Sequence, residues 1–87
     1  MRVRVLYFGV LKDVCGGGGE EMDLPNGASV GDLMMGCRAR HEEAAEVWGS
    51  IAVAINQEYA RAGDTLRDGD EVALLPPVSG GTESYAR

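Results

Sequence analysis

The chain has 87 residues, of which 45% are hydrophobic and 25% are charged, a composition typical of one small globular domain. A chain of this length buries one thin core and has no room for an enclosed active-site cleft. Eight basic residues against fourteen acidic ones give a formal net charge of −6, which disfavours nucleic acid as a partner because phosphate binding needs a basic face.

The first two predicted elements are strands joined by a loop. Residues 2–8 alternate with period two and are rich in β-formers, which predicts a strand with Val3, Val5 and Tyr7 on one face. Four consecutive glycines then favour a loop rather than a phosphate cradle, because two glutamates follow them. A short alternation over residues 21–24 predicts the second strand of a hairpin.

The next predicted element is a helix. Ser29 and Asp32 have the spacing of a capping box, in a weakened form because Asp stands where Glu or Gln is usual. Apolar residues then recur at helical spacing, which predicts a helix from Val30 to about Arg40 with Cys37 on its buried stripe. Residues 44–48 are expected to add one further helical turn.

The second half of the chain favours strands. An alternation over residues 51–55 predicts a strand that ends at residues 56–58. Residues 59–66 show no clear period and are predicted to be irregular. A tight-turn signal at residues 68–70 precedes a last strand over residues 71–75, which two prolines end.

The order of the elements predicts the fold class. Strand, strand, helix, strand, short strand, strand fits an α+β roll of the β-grasp (ubiquitin-like) type, a mixed sheet with one main helix packed on one face. In this arrangement the first and last strands are parallel neighbours in the middle of the sheet. We assign residues 1–78 to this domain and residues 79–87 to a flexible C-terminal tail that carries Gly80 and Gly81.

The strand register predicts an apolar patch at the root of the tail. If the strands at residues 2–8 and 71–75 are parallel neighbours, their carboxyl ends lie together. Phe8 and Leu75 then occupy the sheet face away from the helix, where a partner protein would bury them. The alternative is that Phe8 tucks under the loop at residues 9–15.

The sequence offers few groups for catalysis or metal binding. The single histidine, His41, has no second histidine to complete a zinc site and no matched nucleophile. The carboxylates are scattered over turns and a helix. We therefore expect no metal site, no bound cofactor and no catalytic activity in the isolated chain.

Cysteine usage and hydropathy predict the compartment. Cys15 and Cys37 do not form a Cys-x-x-Cys pair, and a secreted chain of this length usually carries more disulfides, so free thiols in a reducing compartment are expected. The first residues lack the apolar core of a signal peptide, and no run approaches a membrane span. These features favour a cytoplasmic protein without a membrane partner.

The residues after the last strand have the composition of a projecting end. Pro76 and Pro77 restrict φ and remove two donors from the strand ladder, so the chain leaves the sheet stiffly. Gly80 and Gly81 carry no Cβ and suit a channel too narrow for side chains. The alternative is a frayed terminus with loop-like composition.

Three blocks carry a family resemblance. Val-Leu-Tyr-Phe at residues 5–8, Ala-Ile-Asn-Gln-Glu-Tyr at residues 54–59 and Asp-Gly-Asp-Glu-Val-Ala-Leu-Leu-Pro-Pro-Val-Ser-Gly-Gly at residues 68–81 closely resemble the small subunits of molybdopterin synthases. The likeness spans residues 2–81, and its last block is the most specific.

This resemblance implies a sulfur carrier. In that family a ubiquitin-activating-like adenylyltransferase uses ATP to adenylate the C-terminal glycine, and sulfur replaces the adenylate to give a thiocarboxylate. The tail then enters the large subunit of the synthase, commonly in a heterotetramer, and the sulfur reaches precursor Z for the dithiolene of molybdopterin. On this chain the reactive carbonyl belongs to Gly81, with Gly80 beside it.

The resemblance and the register together assign partner-binding residues. Lys12 matches a position that is often basic in the family, where it pairs with acidic groups of a partner or stays solvated. The full set of residues expected to meet a partner is Phe8, Lys12, Leu75, Pro76, Pro77 and Val78.

One feature departs from the family pattern. Family members typically end at the second glycine, whereas Thr82–Arg87 follow Gly81 here. The Gly81 carbonyl is then an amide, and adenylation needs a free carboxylate, so the hexapeptide is a segment that a protease removes, a remnant of cloning, or part of an inactive product. The other functions that remain open are a ubiquitin-like protein modifier, a sulfur carrier for thiamin or cysteine synthesis, and a plain interaction domain.

Overall fold

The computed structural model describes residues 1–76, so the predictions for Pro77, Val78, Gly80 and Gly81, and the domain boundary after residue 78, lie outside the described residues. The elements of the described part are β1 (Arg2–Tyr7), α1 (Val10–Cys15), β2 (Gly19–Asp23), α2 (Val30–Arg40), a 3₁₀ turn (Glu42–Ala44), α3 (Ala45–Trp48), β3 (Ala52–Ile55), β4 (Glu58–Ala60) and β5 (Glu71–Leu75). The longest of these helices has 11 residues, and none within residues 1–76 is both long and apolar enough to traverse a bilayer.

The five strands form one mixed sheet in the order β2-β1-β5-β3-β4. The central pair, β1 and β5, is parallel, with Leu6 opposite Ala73 and Tyr7 opposite Leu74. The pairs β1–β2, β3–β5 and β3–β4 are antiparallel. The predicted β-grasp fold, with the first and last strands side by side, is therefore confirmed.

One face of the sheet packs on α2 and forms the core. Val3, Val5 and Tyr7 of β1 are buried on this face, as their alternation predicts, and Cys37 is buried on α2. The core cluster consists of Val3, Val5, Tyr7, Leu11, Val30, Leu33, Cys37, Trp48, Val53, Leu66, Val72 and Leu74.

The start of α2 is fixed by the predicted capping box. The Ser29 hydroxyl accepts from the backbone N–H of Asp32 at 3.2 Å, and the Asp32 carboxylate accepts from the backbone N–H of Ser29 at 2.9 Å. The next two backbone N–H groups, those of Val30 and Gly31, donate to carbonyls of the loop before β5. Because these donors are paired, the helix N-terminus offers no ready anion site.

The loop predicted over residues 9–15 is wrong, because residues 10–15 form α1. The segment has only six residues, too few for a helical period to be evident in the sequence. Burial of Leu11 in the core stabilises the helix, and Gly16 ends it in the left-handed conformation, with φ +80°.

The irregular stretch predicted over residues 59–66 is wrong at its start. Glu58–Ala60 form the edge strand β4, which pairs with β3 in a hairpin. Asn56 and Gln57 make its two-residue turn with φ values of 50° and 74°. Both central residues of such a turn adopt positive φ, and Asn-Gln lacks the glycine that usually signals it.

Candidate functional site

The carboxyl ends of β1 and β5 lie at the same edge of the sheet because the two strands are parallel neighbours. Phe8 follows β1 directly, and Leu75 is the last residue of β5. Pro76, which comes next, is half-buried at this edge. Leu75 and Pro76, the last described residues, therefore lie beside Phe8.

An apolar depression lies next to this point on the face of the sheet away from α2. Side chains alternate along the strands, so the neighbours of the core residues Val72 and Leu74 point to the outer face. We call the surface the tail-root patch; its residues are Phe8, Ala54, Gln57, Tyr59, Ala73 and Leu75. Phe8 is 41% exposed and Tyr59 72%, an apolar surface of the kind that a partner protein buries.

The structure brings the two patch residues named from the sequence, Phe8 and Leu75, to one surface. The alternative position for Phe8, under residues 9–15, is not the one it adopts. The sequence did not indicate Ala54, Gln57 and Tyr59 as patch residues. Their place follows from register, since Ala54 lies opposite both Ala73 and Tyr59.

Asn56 anchors the β3–β4 turn, which carries the patch residue Gln57 and leads into β4, the strand of Tyr59. Its side-chain amide donates to Asp70 at 3.0 Å, its amide oxygen accepts from the backbone N–H of Glu71 at 3.0 Å, and its own N–H donates to the Glu71 carbonyl at 2.7 Å. These three bonds tie the β3–β4 turn to the start of β5. The position of Gln57 therefore depends on a residue outside the patch, and that of Tyr59 on the pairing of β4 with β3.

Lys12 lies on α1, the helix that follows Phe8 and Gly9. Its side chain is exposed, and within residues 1–76 it takes part in no ion pair. Its role toward a partner stays a prediction.

Polar side chains on the inner side of the sheet form a hydrogen bond and an ion pair with each other. The Tyr7 hydroxyl donates to the Glu20 carboxylate, which also receives Arg40 at 3.3 Å. This network joins β1, β2 and α2. Burial and the bond to Glu20 raise the pKa of Tyr7 well above its ordinary value, so this hydroxyl keeps its proton.

The two thiols are free, and neither is activated. Burial raises the pKa of Cys37 to about 11 and also raises the pKa of Cys15. A nucleophilic cysteine needs a lowered pKa, so these thiols are of the inert, structural kind.

In the part of the chain that the structure describes, no three His, Cys, Asp or Glu side chains are grouped so as to hold a metal ion. The candidate site is therefore the apolar surface next to Pro76 rather than either thiol.

Comparison with known proteins gives a consistent result. The sequence profile of the ThiS family matches residues 5–81. The chain is 41% identical over 83 residues to the molybdopterin synthase sulfur carrier subunit of Chlamydomonas reinhardtii, and the match covers 93% of this chain and 100% of that one.

Two solved structures are also similar. The crystal structure of SAMP1 from Haloferax volcanii shares 31% identity with a TM-score of 0.78, covering 93% of this chain and 100% of that chain. A chain in the complex of subunits 1 and 2 of molybdopterin-converting factor from Helicobacter pylori 26695 shares 29% identity with a TM-score of 0.67, again covering 93% and 100%.

Proposed function

The chain belongs to the ThiS family, and on that basis we propose that it is the sulfur carrier subunit of a molybdopterin synthase. The observation that carries the proposal is the tail-root patch, an apolar surface beside the point where the C-terminal segment leaves β5. A carrier needs a docking surface and a reachable end, and an apolar surface beside Pro76, where the C-terminal segment begins, supports this role. The similarity to a subunit of a two-subunit molybdopterin-converting factor supports the large subunit as a partner.

The proposed chemistry takes place at the carbonyl of Gly81. A carboxylate is a poor electrophile, so its oxygen first attacks the α-phosphate of ATP in a ubiquitin-activating-like adenylyltransferase, and pyrophosphate leaves. The acyl adenylate then carries AMP as a leaving group, and a sulfur donor displaces AMP to give the thiocarboxylate. ATP acts at the activating enzyme, and the carrier holds sulfur covalently without a bound cofactor.

In this proposal the carrier supplies no acid, base or nucleophile of its own. The large subunit receives the end of the chain, Gly80-Gly81, and transfers its sulfur to precursor Z, in an assembly that we propose is a heterotetramer. The raised pKa values of Tyr7, Cys15 and Cys37 support this division of labour, because these groups stay protonated near neutral pH. Free thiols also suit the cytoplasm, which we propose as the compartment.

The residues after Gly81 require a processing step. The Gly81 carbonyl is an amide as long as Thr82 is attached, and an amide cannot be adenylated. We propose that cleavage after Gly81 precedes activation. Intact-mass measurement of the protein from its native cell tests this step, since a chain that retains Thr82–Arg87 throughout contradicts it.

The carrier function is tested with two forms of the protein. A chain that ends at Gly81 and the full-length chain are each incubated with ATP, the activating enzyme and a sulfide source, and intact masses are recorded. The shorter chain should gain the mass difference of one oxygen replaced by sulfur, and the full-length chain should gain nothing. If the shorter chain consumes no ATP and gains no sulfur, the carrier function is refuted and a plain interaction domain remains.

A protein modifier is the second candidate, favoured by the similarity to SAMP1, a small archaeal modifier protein. Both functions need the same acyl adenylate, so activation does not separate them. Isopeptide adducts between Gly81 and lysines of cellular proteins would support the modifier. Rescue of a strain that lacks the synthase small subunit, by the chain ending at Gly81, would support the molybdopterin carrier over modifiers and over carriers for thiamin or cysteine synthesis.

A further inference from the structure

The ring of Pro76 lies on the side of Gly9 where a side chain would project. A Cβ built on Gly9 would lie 2.9 Å from Cγ of Pro76 and 3.8 Å from its Cδ. The first distance is shorter than any ordinary carbon–carbon contact. The ring of the first residue after β5 therefore occupies the space that a side chain at position 9 would need.

Both partners in this contact are held by the fold. Gly9 follows the central strand β1 and begins α1, where its carbonyl accepts from the N–H of Lys12 at 3.1 Å. The fully buried Leu11 fixes α1 to the core. Pro76 follows Leu75, which pairs with Ala52 of β3. Both residues are therefore attached directly to well-packed elements of the fold.

We propose that Gly9 is a positioning residue: its bare Cα seats the Pro76 ring and thereby sets the direction in which the C-terminal segment leaves the sheet. The consequence for function rests on the proposed carrier function. The direction of the C-terminal segment matters because Gly81 must enter a binding site of another protein. Gly9 acts through Pro76 and has no part in the chemistry at Gly81.

The competing explanation is that position 9 needs glycine only for its backbone. Gly9 has φ +58° and ψ −134°, a combination that almost only glycine adopts. Gly16, at the other end of α1, is a partial control. It has φ +80° and ψ 20°, in the left-handed helical region that other residues also adopt, and a Cβ there would meet nothing within 4 Å. Gly16→Ala therefore introduces a smaller backbone strain without a contact to the tail root. The Pro76→Ala background keeps the backbone strain at position 9 and removes the ring, so it is the matched control for both measurements below.

The first test measures the direction of the C-terminal segment and needs no enzyme. Nitroxide labels at positions 58 and 78, in a Cys15→Ser and Cys37→Ala background, give a distance distribution by pulsed electron paramagnetic resonance. Gly9→Ala should displace the centre of the distribution, and Gly16→Ala should leave it in place. An unchanged distribution in a folded Gly9→Ala variant overturns the proposal, whether or not the protein carries sulfur.

The second test measures adenylation of chains that end at Gly81. Misplacement of a reacting group by about 1 Å can cost up to about 100-fold in rate, so Gly9→Ala should lower kcat by about tenfold, with a KM near that of the unchanged chain. Gly16→Ala should change neither constant. If the unchanged chain is not adenylated, the carrier function is refuted. The proposed role of Gly9 is then tested by the distance measurement alone.

Pro76→Ala completes a double-mutant cycle and removes the ring from the contact. If the contact is the cause, Gly9→Ala should have little further effect on kcat in the Pro76→Ala background. An equal loss in both backgrounds identifies backbone strain and overturns the proposal. If Gly9→Ala does not fold, the Pro76→Ala variant alone tests the proposal. A wild-type kcat together with an unchanged distance distribution in Pro76→Ala would show that the contact between Gly9 and the Pro76 ring is not needed.

Discussion

Replacing Phe8 by aspartate tests the tail-root patch. Phe8 lies outside the core cluster and is 41% exposed, next to Leu75 and the start of the C-terminal segment. If the large subunit covers this patch, the exposed part of the ring is buried on binding. Phe8→Asp removes this apolar area and adds a charge that must be desolvated. We therefore expect weaker binding by a protein that remains folded.

The exposed area of Phe8 sets the size of the effect. A phenylalanine side chain offers about 200 Å² for burial, so an exposed fraction of 41% corresponds to about 80 Å². At about 25 cal/mol per Å² this area is worth about 2 kcal/mol, which is about a 30-fold increase in Kd. Desolvation of the introduced carboxylate adds to this cost, so about 30-fold is the lower end of the expectation.

Isothermal titration calorimetry with the large subunit measures the change, and Met35→Asp provides the control. Met35 is 67% exposed on α2, which packs on the other face of the sheet. The same substitution there should leave Kd unchanged. Thermal unfolding of both variants checks that the core is intact. A folded Phe8→Asp variant that binds within about twofold of the unchanged protein would show that the patch is not the docking surface.

Three further predictions concern the fold. Gly36→Ala, on the exposed side of α2 where a Cβ meets nothing within 4 Å, should raise the free energy of unfolding in urea by about 0.5–1 kcal/mol; a decrease would contradict the helix geometry. Ser29→Ala should lower it by about 1 kcal/mol, and no change would show that the capping box is not formed. Burial raises the pKa of Cys37 from 9.0 to about 11. Because the thiol titrates more readily in the unfolded chain, stability should fall as pH rises from about 9 to about 11. Cys37→Ala should remove that part of the pH dependence, and an identical profile would refute the assignment.

Local periodicity was enough to predict the elements that carry most of the fold. Helix α2 has a cap and an apolar stripe within its own sequence, so Val30–Arg40 could be placed from the residues alone. Helix α1 could not, because Val10–Cys15 makes fewer than two turns and is stabilised by the burial of Leu11, a contact between distant parts of the chain. Tertiary contacts, rather than propensity, decide such short elements.

The residues of the candidate site also separate into those that the sequence could predict and those that it could not. Phe8 and Leu75 could be predicted because period-two alternation and parallel pairing of two strands suffice to place them on one face. Tyr59 could not, since its position depends on a hairpin register set by the left-handed turn at Asn56. The contact of Gly9 with Pro76 joins residues that only the sheet topology brings together.

The distribution of reactive groups gives a physical reason for a carrier that acts only with partners. Among residues 1–76, the buried titratable groups with large pKa shifts are Tyr7 and Cys37, and both shifts favour the protonated form. These side chains lie on the inner side of the sheet, whereas the tail-root patch is on the outer face and lined mainly by apolar groups. Apolar side chains of this kind offer contact area to a partner protein rather than acid, base or nucleophilic groups. If the carrier function is correct, the electrophile must be made and used by the proteins that cover the patch, and this chain controls the reaction through docking and through the direction of its end.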